Sequence, residues 1–165
     1  MKKLLCLALC AALLLMFSAC GNEEPTSSAI TWRTDVSVET LAAAVKGVSS
    51  ASDLFEALTP ELIVIETDLV AARCTEYALF RTGNTLDEFG IFRSAEEASA
   101  AAVEQMMKAY IQRRNDEWTG MYMVEEYPKL EKAQVKRDGC YVLLVILSEE
   151  ERAAAIEAFD NALKG

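Results

Sequence analysis

Lys132-Ala133-Gln134-Val135-Lys136-Arg137-Asp138-Gly139-Cys140-Tyr141-Val142-Leu143-Leu144-Val145-Ile146-Leu147 carries the pattern that decides the fold. Asp138-Gly139 is the strongest short-range hairpin signal in the chain, because both loop positions of such a turn need positive φ. Before it, Val135 alternates with charged neighbours, as on an edge strand. After it, Tyr141 to Leu147 is apolar throughout, as expected of a central strand covered on both faces.

Outward from this hairpin the elements alternate. Ser148-Glu149-Glu150-Glu151 is a capping box opening a last helix, whose buried stripe is Ala155, Ile156, Phe159 and Leu163. Upstream, Ser94-Ala95-Glu96-Glu97 reads as another capping box. The helix behind it has Ala98, Ala102, Met106 and Tyr110 in one stripe, flanked by Val103, Met107 and Ile111, and ends near Trp118-Thr119-Gly120. Two strands, Arg73 to Arg81 and Glu88 to Arg93, are joined around Gly83-Asn84, with Tyr77 and Leu79 alternating with Ala78 and Phe80. Ser37 caps a first helix built on Leu41, Ala44, Val45 and Val48. Thr59-Pro60-Glu61 looks like a helix start, whereas Ile63-Val64-Ile65 has strand composition; of the two readings the helical one is taken, with Leu54 to Leu58 and Leu62 to Ile65 as short helical turns. The order αββαββα predicts an α+β fold, an antiparallel sheet of about four strands with helices packed on it.

The first residues set a location. Lys2 and Lys3 precede an apolar run from Leu4 to Phe17, which is too short for the roughly 20 residues of a membrane-spanning helix and reads as a signal-peptide core. It ends Phe17-Ser18-Ala19-Cys20-Gly21, which resembles the lipobox of bacterial lipoproteins, with Phe17 where leucine is more usual. The resemblance implies cleavage before Cys20 and a diacylglyceryl group on its thiol; ordinary secretion with Cys20 a bystander is the alternative. Two acyl chains hold a protein on a bilayer where one binds only reversibly. The expected organisation is a signal peptide over residues 1–19, a lipidated cysteine and flexible acidic linker over 20–35, and a single domain over 36–165, lipid-anchored on the extracytoplasmic face of the cell membrane. In the linker, Ile30 and Trp32 either dip into the lipid interface or dock on the domain.

Charge narrows the partners. With 26 acidic against 16 basic residues, a net charge of −10, and Lys2 and Lys3 lost with the signal peptide, the charge argues against nucleic acid as a partner, because binding it depends on Lys and Arg displacing counterions. The same sign keeps the domain off anionic lipid. Export permits disulfides, and Cys74 and Cys140 are a candidate pair whose bridge would contribute about 4 kcal/mol; buried free thiols are the alternative.

Chemistry is conspicuous by what is missing. There is no histidine, which removes the usual near-neutral base and the commonest metal ligand. No Gly-x-Gly, Ser-x-x-Lys or calcium-loop pattern occurs, so no catalytic, cofactor-binding or metal-ligating set is identified. Glu96-Glu97 and Glu149-Glu150-Glu151 open helices, where the dipole stabilises negative charge. Glu125-Glu126 is less explained, and a solvated pair is the commoner case. Trp118, Met121, Tyr122, Met123 and Tyr127 crowd one loop, as a candidate partner surface or, more often for such residues, as a lid on the end of a sheet.

The acidic linker, the long central helix, Glu126-Tyr127-Pro128-Lys129-Leu130-Glu131, the Gly-centred hairpin and the apolar strand ending in acidic residues resemble domain of unknown function 4358, small lipoproteins of Gram-positive bacteria. The resemblance covers roughly residues 35 to 160 and implies location rather than chemistry. The functional expectation is a non-enzymatic binding or accessory module at the cell envelope, engaging an envelope protein or a small ligand. The alternative is a carboxylate-dependent hydrolase of wall glycans.

Overall fold

The computed structural model describes residues 32–164. The expected signal peptide, Cys20, Ile30 and the linker up to residue 31 lie outside the described residues. Five strands and five α-helices follow in the order α1 (Val38–Lys46), β1 (Glu56–Ala57), α2 (Pro60–Thr67), β2 (Glu76–Arg81), β3 (Glu88–Arg93), α3 (Glu97–Asp116), α4 (Tyr127–Glu131), β4 (Gln134–Asp138), β5 (Tyr141–Ile146) and α5 (Glu149–Leu163). The sheet runs β1-β2-β3-β5-β4 and is antiparallel throughout. The α+β class therefore holds, with β4 at an edge and β5 inside, as its composition requires.

Period-two alternation in β3 and β5 builds two cores. Phe89, Ile91, Tyr141, Leu143 and Val145 face α1 and α5, meeting Leu41, Val45, Ala155 and Phe159. Phe92, Val142, Leu144 and Ile146 face the other way, where Val103, Met107 and Tyr110 of α3 cover them together with Ile63 of α2 and Leu130 of α4. The sheet is thus the middle of three layers.

Several local expectations are corrected: the buried stripe of α3 is Ala100, Val103, Met107 and Tyr110, with Ala98 exposed, and Val48 lies beyond α1 and is exposed. The fifth strand, β1, is only two residues long and pairs Glu56 with Arg81 and Ala57 with Phe80, where helical turns were expected. Asp138 pairs with Tyr141, so the hairpin loop is Gly139-Cys140, and of these only Gly139 takes positive φ, 55°. A glycine at the first loop position is the arrangement that needs one such residue rather than two. Ser94 does not cap α3: its N–H donates to the Cys140 carbonyl and extends the β3–β5 ladder, so the helix starts later, with Glu96 at the N-cap and no side-chain cap.

The caps at Ser37, Thr59 and Ser148 do form, each accepting a hydrogen bond from the backbone N–H three residues on. Glu151 departs from the capping-box pattern. Its carboxylate takes hydrogen bonds from the Ser148 hydroxyl, the Ser49 and Ser50 hydroxyls and the Ser50 N–H, pinning the loop after α1 to α5. Burial opposes its charge, but these donors outweigh it and hold the carboxyl down at about 2.

Residues 32–36, at the expected linker's end and the domain's start, lie on the domain. Trp32 forms a β-bridge with Lys164, Arg33 N–H donates to the Leu163 carbonyl, and Tyr141 Oη donates to the Val36 carbonyl at 2.7 Å.

Candidate functional site

At the opposite end of the sheet, where the β2–β3 hairpin meets the last turns of α3, a charged cluster lies under an open cleft. Glu88 starts β3 on the α3 side and is fully buried. Its direct cross-strand neighbour is Arg81. The α3 periodicity brings Tyr110 and Arg114, one turn apart, over the pair. Glu88 Oε2 accepts from Arg81 Nε at 2.8 Å and from Arg114 Nη1 at 2.7 Å, while Oε1 accepts from Tyr110 Oη at 2.8 Å. Arg81 Nη2 donates onward to Glu66 Oε2 at 2.7 Å and to Tyr110 Oη at 3.0 Å. Arg113 and Arg114 lie over the faces of the Tyr110 ring, 5.8 and 5.6 Å from its centroid, and Arg113 also bonds Asp68 and the Glu66 carbonyl.

Every lone pair of a buried carboxylate left without a donor would be costly, and here three donors converge on one group. Burial, and then the negative charge of Glu88, push the Tyr110 phenol well above its ordinary range, so it stays protonated and donates. Burial opposes charge on Arg81, but Glu88 and Glu66 raise its pKa further. The cleft above has a volume of about 530 Å³, within the range of small-molecule sites. Its walls mix Ile65 and Leu86 with Thr82, Thr85, Glu117 and the three arginines.

The hairpin rim is braced from α4. Lys129 Nζ donates to Asp87 Oδ1 and Glu126 Oε2, both at 2.7 Å, and Glu126 also accepts from the Leu86 N–H. Burial opposes ionisation of Glu126, but the Lys129 ammonium and that N–H hold its carboxyl below the usual range. Glu126 is therefore a brace; Glu125 stays exposed. The Tyr127-Pro128-Lys129-Leu130 stretch thus divides its work: Pro128 sits in the first turn, Lys129 pins the hairpin and Leu130 enters the core.

The aromatic and Met loop divides too. Trp118 stacks on Tyr127, with ring centroids 5.4 Å apart, and both pack against the α3-side core. Met121 and Tyr122 stand out at 85% and 71% exposure, and Met123 turns the chain at φ 52°. Lid and exposed patch are both present, in different residues. Cys74 and Cys140 are free thiols, one packed with the α3-side core and the other with the opposite core, so the structure does not bring them together. Burial pushes the Cys74 thiol up to about 11. Among the described residues no group of three or more acidic or cysteine side chains converges to hold a metal ion, and no helix is long and apolar enough to cross a membrane.

Fold and cleft together define a three-layer α+β domain with a buried carboxylate–arginine–tyrosine cluster at one end of its sheet. A family described as Domain of unknown function (DUF4358) matches residues 65–147, and the chain belongs to it. No curated protein and no solved structure matches the chain. The matched segment contains Glu66, Arg81, Glu88, Tyr110, Arg113, Arg114 and Lys129, but neither α1 nor α5.

None of the cluster residues is singled out by a sequence motif. The signal that could have found them is an acid and a base, Glu88 and Arg81, both at inward-facing positions of strands that face each other.

Proposed function

We propose that the protein is a lipid-anchored module on the extracytoplasmic face of the cell membrane, acting by binding rather than catalysis, and that the cleft over Glu88 is where it binds. The anchor rests on the signal-peptide pattern of residues 1–19 and the lipobox-like Phe17 to Gly21. The observation that carries the binding reading is the fully buried Glu88 with its three donors, which fixes Arg81, Tyr110 and Arg114 beneath an open cleft. Held charges that neutralise one another orient a ligand without offering it a proton.

The hydrolytic alternative has less support. Glycoside cleavage needs one carboxyl held protonated beside a second that is ionised. The carboxyls of Glu126 and Glu151 are held below the ordinary range by their donors, and Glu125 stands in solvent; burial raises the Asp138 carboxyl beside Asp160, but the two share the Lys136 ammonium.

Two measurements on intact cells test the proposal. Metabolic palmitate labelling should mark the parent and not Cys20→Ala. A photo-crosslinking residue at Thr85 on the cleft rim should capture a defined neighbour, and the adduct should fall sharply with Arg114→Ala. Equal labelling of Cys20→Ala would remove the anchor, and an adduct indifferent to Arg114 would remove the cleft.

A further inference from the structure

Arg152 is 94% buried, its relative exposure being 6%, yet it has no carboxylate partner among the described residues. Its Nη1 donates to the Leu147 carbonyl at 3.1 Å, and its Nε and Nη2, without a protein acceptor among the described residues, keep only the small solvent contact that the 6% exposure allows. A guanidinium withdrawn from water normally sits against an anion, because burial without a counter-ion is costly. Arg152 lines a cavity of about 240 Å³ at the start of α5, with Lys129, Lys132, Ser148, Glu125 and Glu149 around it. Lys129 is committed to Asp87 and Glu126, but Lys132 has only a loose contact of 3.6 Å with the exposed Glu149.

Of the three acidic residues in the first turn of α5, Glu151 is turned to Ser49 and Ser50, and Glu149 and Glu150 are exposed to solvent, where water screens them. The desolvated charge in the cavity is therefore the positive one. The volume is below that of sites for larger organic ligands and suits a small ion. Two cationic side chains line it from different elements, Arg152 on α5 and Lys132 in the turn after α4.

We propose that this cavity is a binding site for a phosphate-type oxyanion, held by Arg152 and Lys132 at the start of α5. Arg152 supplies the buried, planar donor set and Lys132 the second charge. The site is separate from the Glu88 cleft, and its arginine lies outside the residues matched by the family.

The test uses the full chain, titrated with inorganic phosphate at constant ionic strength against chloride, and followed by calorimetry and by the thermal midpoint. Saturable binding and a rising midpoint are expected for the parent. Arg152→Gln should weaken binding at least tenfold with its phosphate-free midpoint close to the parent's, since the guanidinium makes one hydrogen bond, to the Leu147 carbonyl, and no ion pair among the described residues. Lys132→Gln, at an exposed position, should weaken binding severalfold with folding intact, and it carries the test if Arg152→Gln does not fold. No saturable phosphate binding above chloride, or binding unchanged in the Lys132 variant or in a folded Arg152 variant, overturns the proposal. Glycerophosphoglycerol in place of phosphate separates the sources: equal affinity assigns the site to a phosphodiester, and a strong preference for inorganic phosphate assigns it to the free ion.

Discussion

Arg114 Nη1 lies 2.7 Å from Glu88 Oε2, joining the outer helix α3 to the central sheet through a carboxylate that no water reaches. Removing the negative partner leaves two arginines facing a neutral group. Glu88→Gln should therefore cost about 2–4 kcal/mol, somewhat below the figure for a wholly buried pair because both arginines keep part of their surface in solvent. Urea unfolding checks it; a loss under about 1 kcal/mol would mean that the cluster does not hold α3 to the sheet.

Glu151 predicts an acid limb in the stability curve. Its folded pKa, about 2, lies below the ordinary 4.5, so its contribution is complete above about 4.5 and is lost as the pH falls toward 2. Discounted for its partial exposure, the effect is about 1–2 kcal/mol. Unfolding midpoints measured from pH 7 to pH 2 should fall less steeply below pH 4.5 in Glu151→Gln than in the parent. Parallel curves would show that Ser49 and Ser50 do not hold the charge.

Gly90 marks a place where the sheet admits no side chain. A Cβ there would lie 2.7 Å from Leu79 Cδ1 and 2.9 Å from a ring carbon of Phe92, both in buried side chains. Overpacking exceeds the gain in strand entropy, so Gly90→Ala should destabilise by about 1–2 kcal/mol net. A stabilised variant in a thermal melt would show that Leu79 and Phe92 have room to move.

Within the loop after α3, the exposed and stacked residues should behave differently. Met121→Ala and Tyr122→Ala should leave stability within about 0.5 kcal/mol, whereas Trp118→Ala, which loses its stack on Tyr127, should cost about 1–2 kcal/mol. Equal losses at Tyr122 and Trp118 in chemical denaturation would mean that the whole loop is a lid.

What could be read beforehand followed local physics. The uninterrupted apolar run Tyr141 to Leu147 had to be covered twice, and it is, because its alternate residues feed two separate cores. Ser37, Thr59 and Ser148 cap because each lies beside the turn it serves. Ser94 has an equally good local pattern, but a sheet partner takes its backbone, and that partner is remote in sequence. The two-residue β1 is too short to show a period and exists only because β2 offers it an edge. The Glu88 cluster eluded motif reading for the same reason: Glu66, Arg81, Glu88 and Arg114 each look like ordinary surface charges until pairing register and helix phase bring them together. Glu126 changed from an unexplained charge to a brace once Lys129 and Leu86 were placed beside it.

The bridge between Trp32 and Lys164 sets the two ends of the described residues side by side, beside the Gly139 turn and five residues along β3 from Glu88, about 17 Å of strand. A fluorescent label on a cysteine placed at Lys164 would consequently sit beside Trp32 and leave the arginine mouth unobstructed. The same closeness suits the domain to grafting into a host protein's loop, since two adjoining ends need only a narrow gap.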